Sequence, residues 1–307
     1  MSIAVVTGAS AGIGRATALA YAAAGTDVAL ISRNGERLGQ VAKEIESLGR
    51  KALVLPLDVA DAAAVEAAAD KVEATFGPID VWVSNAMVSV FSPVIEMTAA
   101  EFRRVTEVTY LGAVYGVLAA LRHMRPRDRG SIVIVGSALA YRGIPLQSAY
   151  CAAKHALKGF NDSLQSELLH DRSHVRVTMV QLSACNTPQF DWAKSRLARR
   201  ARPMGAVFQP ELAARGILWA ARHGGREVTV GAPGWRAIWA SKLFPGLVDR
   251  YLAKFGYDGQ QTGEAKSADA PENLWQSVPG SFGAHGRFNE VAKASSLQFK
   301  LRSLFRD

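Results

Sequence analysis

"IAVVTGASAGIG", residues 3–14, is the stretch that decides the fold of this chain. Ile3 to Thr7 form an unbroken apolar and β-branched run, the pattern of a strand covered on both faces. Glycines follow at positions 8, 12 and 14, and beyond them the periodicity becomes helical. Glycine lets a backbone turn sharply and approach a ligand where a Cβ would obstruct. The helix then begins with unpaired N–H groups facing the turn, a ready site for an anion. Strand, glycine turn and helix in that order form the unit that receives a dinucleotide pyrophosphate. Taken alone, Gly-x3-Gly-x-Gly is also an ordinary tight connection, so the rest of the chain has to decide.

The rest repeats the unit. Further strand-like runs lie at 28–32, 52–57, 80–84, 131–137, 175–181 and 226–231. Helical patterns fill the intervals at 12–24, 36–48, 61–76, 99–124, 149–170 and 210–223, one of them opened by a capping box, Thr98 and Glu101. Regular strand–helix alternation predicts an α/β fold, a Rossmann-type doubly wound parallel sheet of about seven strands with helices on both faces. Residues 1–234 are expected to form this cofactor-binding and catalytic body. Residues 235–307 are expected to add an amphipathic helix, broken at Pro245–Gly246, and an irregular tail. Segment 187–209 shows no strand pattern and carries the basic run "KSRLARRARP", residues 194–203.

Composition sets outer bounds. Of 307 residues 49% are hydrophobic, enough for a large core, and 21% are charged. The net charge is +9, and Gly256 to Asp307 hold six basic and six acidic residues, so the excess lies in the body. That surplus suits anionic ligands, but no arginine-rich stripe with interleaved aromatics points to nucleic acid. Two cysteines, Cys151 and Cys185, have no metal-ligand spacing. No metal site and no disulfide framework are expected, which fits a reducing compartment. Nothing before Ile3 reads as a secretory leader, and no apolar run reaches the ~20 residues of a membrane span. A cytoplasmic location is the expectation.

The ends of the strands carry the next signals. In "ALISRN" (29–34), Ser32 and Arg33 stand where an acidic residue would accept from ribose hydroxyls and repel a 2′-phosphate. A guanidinium pairs with phosphate or stacks on adenine, so NADP is expected over NAD; the plain alternative is a solvated loop arginine. Asp58 in "LDV" (57–59) can bracket the adenine edge, and Asn85 in "SNA" (84–86) can reach the ribose side.

"SAYCAAK" (148–154) places Tyr150 and Lys154 one helical turn apart among small residues, and Ser137 ends the fifth strand at the ligand-binding edge. A phenol is a poor acid–base catalyst near neutrality, and a neighbouring ammonium favours its ionised form. With "TGASAGIG", "SNA" and "YCAAK" in this order and spacing, the sequence resembles the short-chain dehydrogenase/reductase family over roughly residues 3–232. The resemblance implies an NADP(H)-dependent oxidoreductase acting on a carbonyl or secondary alcohol, assembled as a homodimer or homotetramer. Tyr150 would be the proton donor, Lys154 would hold the nicotinamide ribose and tune the tyrosine, and Ser137 would bind the substrate oxygen. The implied cofactor set is Gly8, Ser10, Gly12, Ile13, Gly14, Ser32, Arg33, Asp58, Val59, Asn85, Tyr150, Lys154 and Thr187.

Three positions depart from the family pattern: Met87 replaces a glycine, Leu182–Ser183 replace a Pro-Gly pair, and Thr109 replaces the asparagine of the relay water. Thr109 is the expected substitute in that relay. Two other readings stay open: an epimerase or dehydratase that keeps its cofactor, and a non-catalytic NADP-binding protein at a membrane. The basic run 194–203 either draws in an acidic substrate group or is a solvated face. Phe190 and Trp192 can line an apolar pocket. Segment 235–255, mixing aromatics with lysine and arginine, suits either a membrane surface or packing on the protein. His155 and Cys151 are expected to be structural.

Overall fold

The computed structural model describes residues 2–304; residue 1 and residues 305–307, the ends of the two expected regions, lie outside it. The strands of the main sheet are β1 (Ile3–Thr7), β2 (Asp27–Ser32), β3 (Ala52–Pro56), β4 (Val81–Ser84), β5 (Ser131–Val135), β6 (Arg176–Leu182) and β7 (Glu227–Val230). The helices are α1 (Gly12–Ala23), α2 (Gly35–Ser47), α3 (Ala62–Phe76), α4 (Ala99–Thr106), α5 (Gly112–Met124), α6 (Ser148–His170), α7 (Pro210–His223), α8 (Ala232–Leu243), α9 (Pro245–Phe255) and α10 (Leu297–Leu304). The seven strands are parallel in the order β7-β6-β5-β4-β1-β2-β3. The order reverses between β1 and β4, and that switch point opens a crevice at the carboxyl ends of the strands.

Unbroken apolar strands make sense here because successive side chains point to opposite covered faces. Ile3 and Val5, Ala29 and Ile31, Ile132 and Ile134 belong to one core with Val65, Val117 and Leu157 of α3, α5 and α6. Ala4 and Val6, Val28 and Leu30, Val133 and Val135 belong to the other, with Ala18, Leu38 and Ile217 of α1, α2 and α7. Each of these three strands therefore serves both layers, and burial of this apolar surface is the main driving force of the fold.

The single helix expected over 99–124 is interrupted. The capping box of Thr98 and Glu101 opens α4 as foreseen, but Glu107–Leu111 widen into a π turn before α5 begins. π turns are rare and concentrate at functional sites.

Two regions read as irregular are structured by partners far away in sequence. Lys194–Ser195 pair with Val90–Phe91, and Arg199–Ala201 pair antiparallel with Gln261–Ala265 of the tail. Farther on, α10 sets Phe299 edge-on against Trp219 at 6.4 Å. The break at Pro245 stands as expected, and it separates α8 from α9.

Candidate active site

The glycine turn sits at the switch point. Gly8 and Gly12 have φ of +67° and +57°, the left-handed region where a side chain is strained. A Cβ at Gly8 would come within 2.9 Å of the Asn85 carboxamide, and one at Gly14 would collide with the Gly8 carbonyl. Asn85 donates from Nδ2 to the Thr7 carbonyl at 2.9 Å, while the Asn85 and Ala86 amides donate to Thr7 Oγ1 at 2.9 and 3.0 Å. The turn and "SNA" are thereby held against each other, and the Asn85 side chain is spent largely on this bracing.

From here a cavity of about 640 Å³ runs along the strand ends. Gly8, Ser10, Gly12, Ile13, Ser32, Arg33, Asp58, Val59, Asn85 and Thr187 line it, together with Ser137, Tyr150 and Lys154. Gly14 stands behind the turn and supports it by close packing. The Ser32 hydroxyl is buried without a partner among the described residues, and Thr187 packs against the open side of Gly12. A crevice floored by glycines, ended by helix amides and holding an unmet hydroxyl fits a dinucleotide.

Two cofactor-side residues are engaged in an unforeseen way. Arg33 donates to the carbonyls of Asn273 at 2.6 Å and Trp275 at 3.0 Å. Asp58 is ion-paired with Arg104, which donates from Nε to the Leu274 carbonyl at 3.1 Å. The tail therefore contributes to this end of the cleft, and its aromatics Trp275, Phe282 and Phe288 were the sequence signal that it docks over a site.

At the other end, Lys154 is 3% exposed and donates to the Val135 carbonyl at 2.7 Å. Its ammonium lies 5.6 Å from the centre of the Tyr150 ring. Burial disfavours the ammonium and lowers the lysine to about 8. Burial raises the Tyr150 phenol above its ordinary value, and the neighbouring Ser137 hydroxyl opposes part of that rise. Ser137 is placed from both sides: its amide donates to Gln181 Oε1 at 2.7 Å, and its Oγ accepts from the Leu139 amide at 3.1 Å. Gln181 went unremarked in the sequence, although a glutamine inside the apolar strand "VRVTMVQ" was the available signal.

Thr109 corrects an expectation. Its hydroxyl donates to the Val88 carbonyl at 2.9 Å and accepts from the Val88 amide at 3.1 Å. The residue is fully buried, and Val108 rather than Thr109 faces the cavity. With its only proton committed, Thr109 pins the segment after Met87 and offers no donor to a relay water. Three of the five basic residues in the run 194–203 are likewise spent on structure. Arg196 binds Glu101 at 2.9 Å, Lys194 binds Glu272 at 2.9 Å, and Arg200 binds Glu264 at 2.8 Å. Cys151 is pushed by burial to about 11, so it is a thiol near neutrality. His155 bonds to the Cys151 carbonyl at 2.8 Å, within its own helix. Among the described residues no group of side chains is arranged to hold a metal.

The family model for short chain dehydrogenases matches residues 2–196, the part that carries the glycine turn, Ser137, Tyr150 and Lys154. The chain belongs to the short-chain dehydrogenase/reductase family. A Bacillus subtilis relative, the uncharacterized oxidoreductase YxnA, is 34% identical over 88% of this chain and 74% of its own length. Human dehydrogenase/reductase SDR family member 7 is 38% identical over 53% of this chain, which spans about half of that protein, 49%. Among solved structures, an alcohol dehydrogenase from Thermococcus sibiricus complexed with 5-hydroxy-NADP is 28% identical, with a TM-score of 0.65 over 75% of this chain and 96% of that one. A short-chain dehydrogenase from Streptomyces avermitilis reaches a TM-score of 0.66 at 26% identity, over 83% of this chain and 96% of that one. Family membership makes this chain an oxidoreductase with a nicotinamide cofactor.

The Thr109 assignment is open to a direct check. Thr109→Val strips partners from the buried Val88 amide and carbonyl, each unmet group costing about 1–3 kcal/mol. A clear drop in the urea midpoint is expected, whereas Thr109→Ser keeps the bonds and most of the stability.

Proposed function

We propose that this short-chain dehydrogenase uses NADP(H) to interconvert a ketone or aldehyde and its alcohol, working as a carbonyl reductase. The observation that carries this is the convergence of Ser137, Tyr150 and Lys154 on the cavity that also holds the glycine turn. A nicotinamide bound there supplies the hydride. The protein supplies the proton and its control. Burial keeps the Tyr150 phenol protonated at neutral pH, which suits a proton donor to a carbonyl oxygen. Ser137 accepts from Leu139, and its own proton, which faces Tyr150, can turn to the same substrate oxygen. When Tyr150 gives up its proton, the Lys154 ammonium beside the ring stabilises the phenolate.

NADP rather than NAD is supported by Ser32, Arg33 and Arg37 at the β2 end of the cavity, by the pairing of Asp58 with Arg104, and by the NADP analogue in the Thermococcus neighbour. A second reading concerns the C-terminal helices. Trp235, Trp239, Leu243, Phe244, Leu247 and Tyr251 are exposed on α8 and α9, with Arg236, Lys242, Arg250 and Lys254 among them. Apolar rings interleaved with cations fit the surface of an anionic lipid layer. Among the described residues no helix is long and apolar enough to cross a membrane.

Fluorescence titration tests the cofactor: NADPH should bind more tightly than NADH, and Arg33→Ala should lose most of the difference. Tyr150→Phe should bind NADPH normally while losing about 10²–10⁴ of kcat in a screen of carbonyl substrates. Failure of both nucleotides to bind the intact protein sinks the proposal, and binding without net cofactor turnover favours an epimerase or dehydratase.

The pH profile follows from Lys154. Its ammonium is present below about 8 and lost above it. In the reductive direction kcat/KM should hold at neutral pH and fall as pH rises through that value, a dependence that Lys154→Met should abolish together with most of the rate.

For the lipid reading, the full chain should float with vesicles containing phosphatidylserine, and Trp235→Ala with Trp239→Ala should weaken this. Self-association in gel filtration without flotation would assign the face to a second copy.

A further inference from the structure

Residues 273–288 form a strap across the mouth of the cavity, fastened at both ends. At the β2 end Leu274 is fully buried in the core, with the carbonyls around it held by Arg33 and Arg104. At the Thr187 end, the Gly286 amide donates to the Asn186 carbonyl at 3.2 Å and the Phe288 amide to Asn186 Oδ1 at 2.9 Å. Gly286 lies so close that a Cβ there would collide with the Thr187 carbonyl. Arg287 adds an ion pair with Asp191, and Phe288 stands edge-on to Phe190 at 5.8 Å.

The middle is held more lightly. Phe282 rests edge-on against Trp192 at 4.7 Å, with the Arg37 guanidinium 5.4 Å from its centre. Its carbonyl accepts from Arg15 at 2.8 Å. The next carbonyl, Gly283, accepts from the Gly12 amide at 3.2 Å. That amide belongs to the first residue of α1, so it is one of the donors that make the glycine turn an anion site. Ser277 and Val278 face the same cavity as Gly8, Asp58 and Lys154. Gly280 has φ of +94°, and Gly283 follows three residues on, so the backbone of the middle is permissive.

We propose that this strap is the outer wall of the cofactor site and gates cofactor exchange. The inference rests on the dinucleotide reading given above. A pyrophosphate at the turn and the Gly283 carbonyl compete for one amide, so entry of the nucleotide requires the middle of the strap to lift while its ends stay fastened. Once closed, the strap covers the nucleotide between Arg33 and Thr187 and slows its release. Cofactor binding then depends on a conformational step that precedes or follows the encounter.

Stopped-flow binding of NADPH to the full-length protein provides the test. In the wild type the observed rate should level off at high nucleotide, at the rate of strap opening. Phe282→Ala removes the ring on Trp192, and Ser281→Ala removes the hydroxyl that donates to Gln40 Oε1 at 3.2 Å, so both loosen the middle and leave the ends fastened. Both should raise that ceiling and the release rate, Phe282→Ala by about tenfold, the scale of one lost aromatic contact. Hydrogen exchange on the unmodified protein gives a readout independent of any variant: NADPH should slow exchange across residues 276–286. A rate that climbs linearly with NADPH and is unchanged in both variants overturns the gate, as does exchange across 276–286 that ignores NADPH. A wild type that binds neither NADPH nor NADH fails at the earlier step and overturns the dinucleotide reading itself.

Discussion

A single hydroxyl holds the centre of this molecule together. Thr7 Oγ1 accepts from two successive amides, those of Asn85 and Ala86, and donates to the Val83 carbonyl at 3.3 Å. It does so where β1 and β4 diverge and ladder pairing between them ends, at the place where the fold would otherwise leave buried amides unmet. Because the two strand ends are fixed there, Gly8 and Gly14 can close on Asn85 and on each other. The glycine turn, the helix that follows it and the cavity floor all take their position from that junction. Thr7 is the first letter of the most legible motif in the chain, yet its work is done between elements nearly eighty residues apart.

The fold was readable because its signal is local. An apolar strand buried on both faces announces itself without reference to its partners, and seven such runs were enough to fix the class of sheet. The site was readable for a related reason: Tyr150 and Lys154 share one helix, and Ser137 ends the strand before it. What stayed hidden depends on distant partners. The strand Arg199–Ala201 exists only because Gln261–Ala265 lies beside it, and neither segment carries a β pattern of its own. Leu274 looks like one apolar residue in a polar tail, but it is fully buried. Thr109 misled for another reason. Its type was compatible with a relay, and only the positions of the Val88 amide and carbonyl reveal that its proton is already committed.

The chemistry at the far end of the cavity depends on burial acting in opposite senses on an acid and a base. The same apolar surroundings push Tyr150 up and Lys154 down, so two groups with nearly equal ordinary values are driven apart and the phenol holds its proton more tightly than the ammonium. The lysine remains mostly charged at neutrality, and its anchor to Val135 ties it to the sheet. Small residues around the pair leave room for ligands at the cost of solvation, and that lost solvation is what shifts both groups. Shape and acidity at this site have one cause.

The strap also bears on the order in which the protein is made. Parallel sheets are assembled from contacts far apart in sequence, and chains leave the ribosome N-terminus first. The glycine turn, Ser137, Tyr150 and Lys154 have all been translated once residue 154 is added. Residues 273–288 follow much later, yet they bind Arg15, Arg33 and Gly12, which precede all three side chains. A growing chain can therefore form the floor of its nucleotide crevice while the outer wall does not yet exist. During that interval the nascent domain presents an open cleft to the nucleotide pool, and residues translated well after Lys154 are the ones that close it.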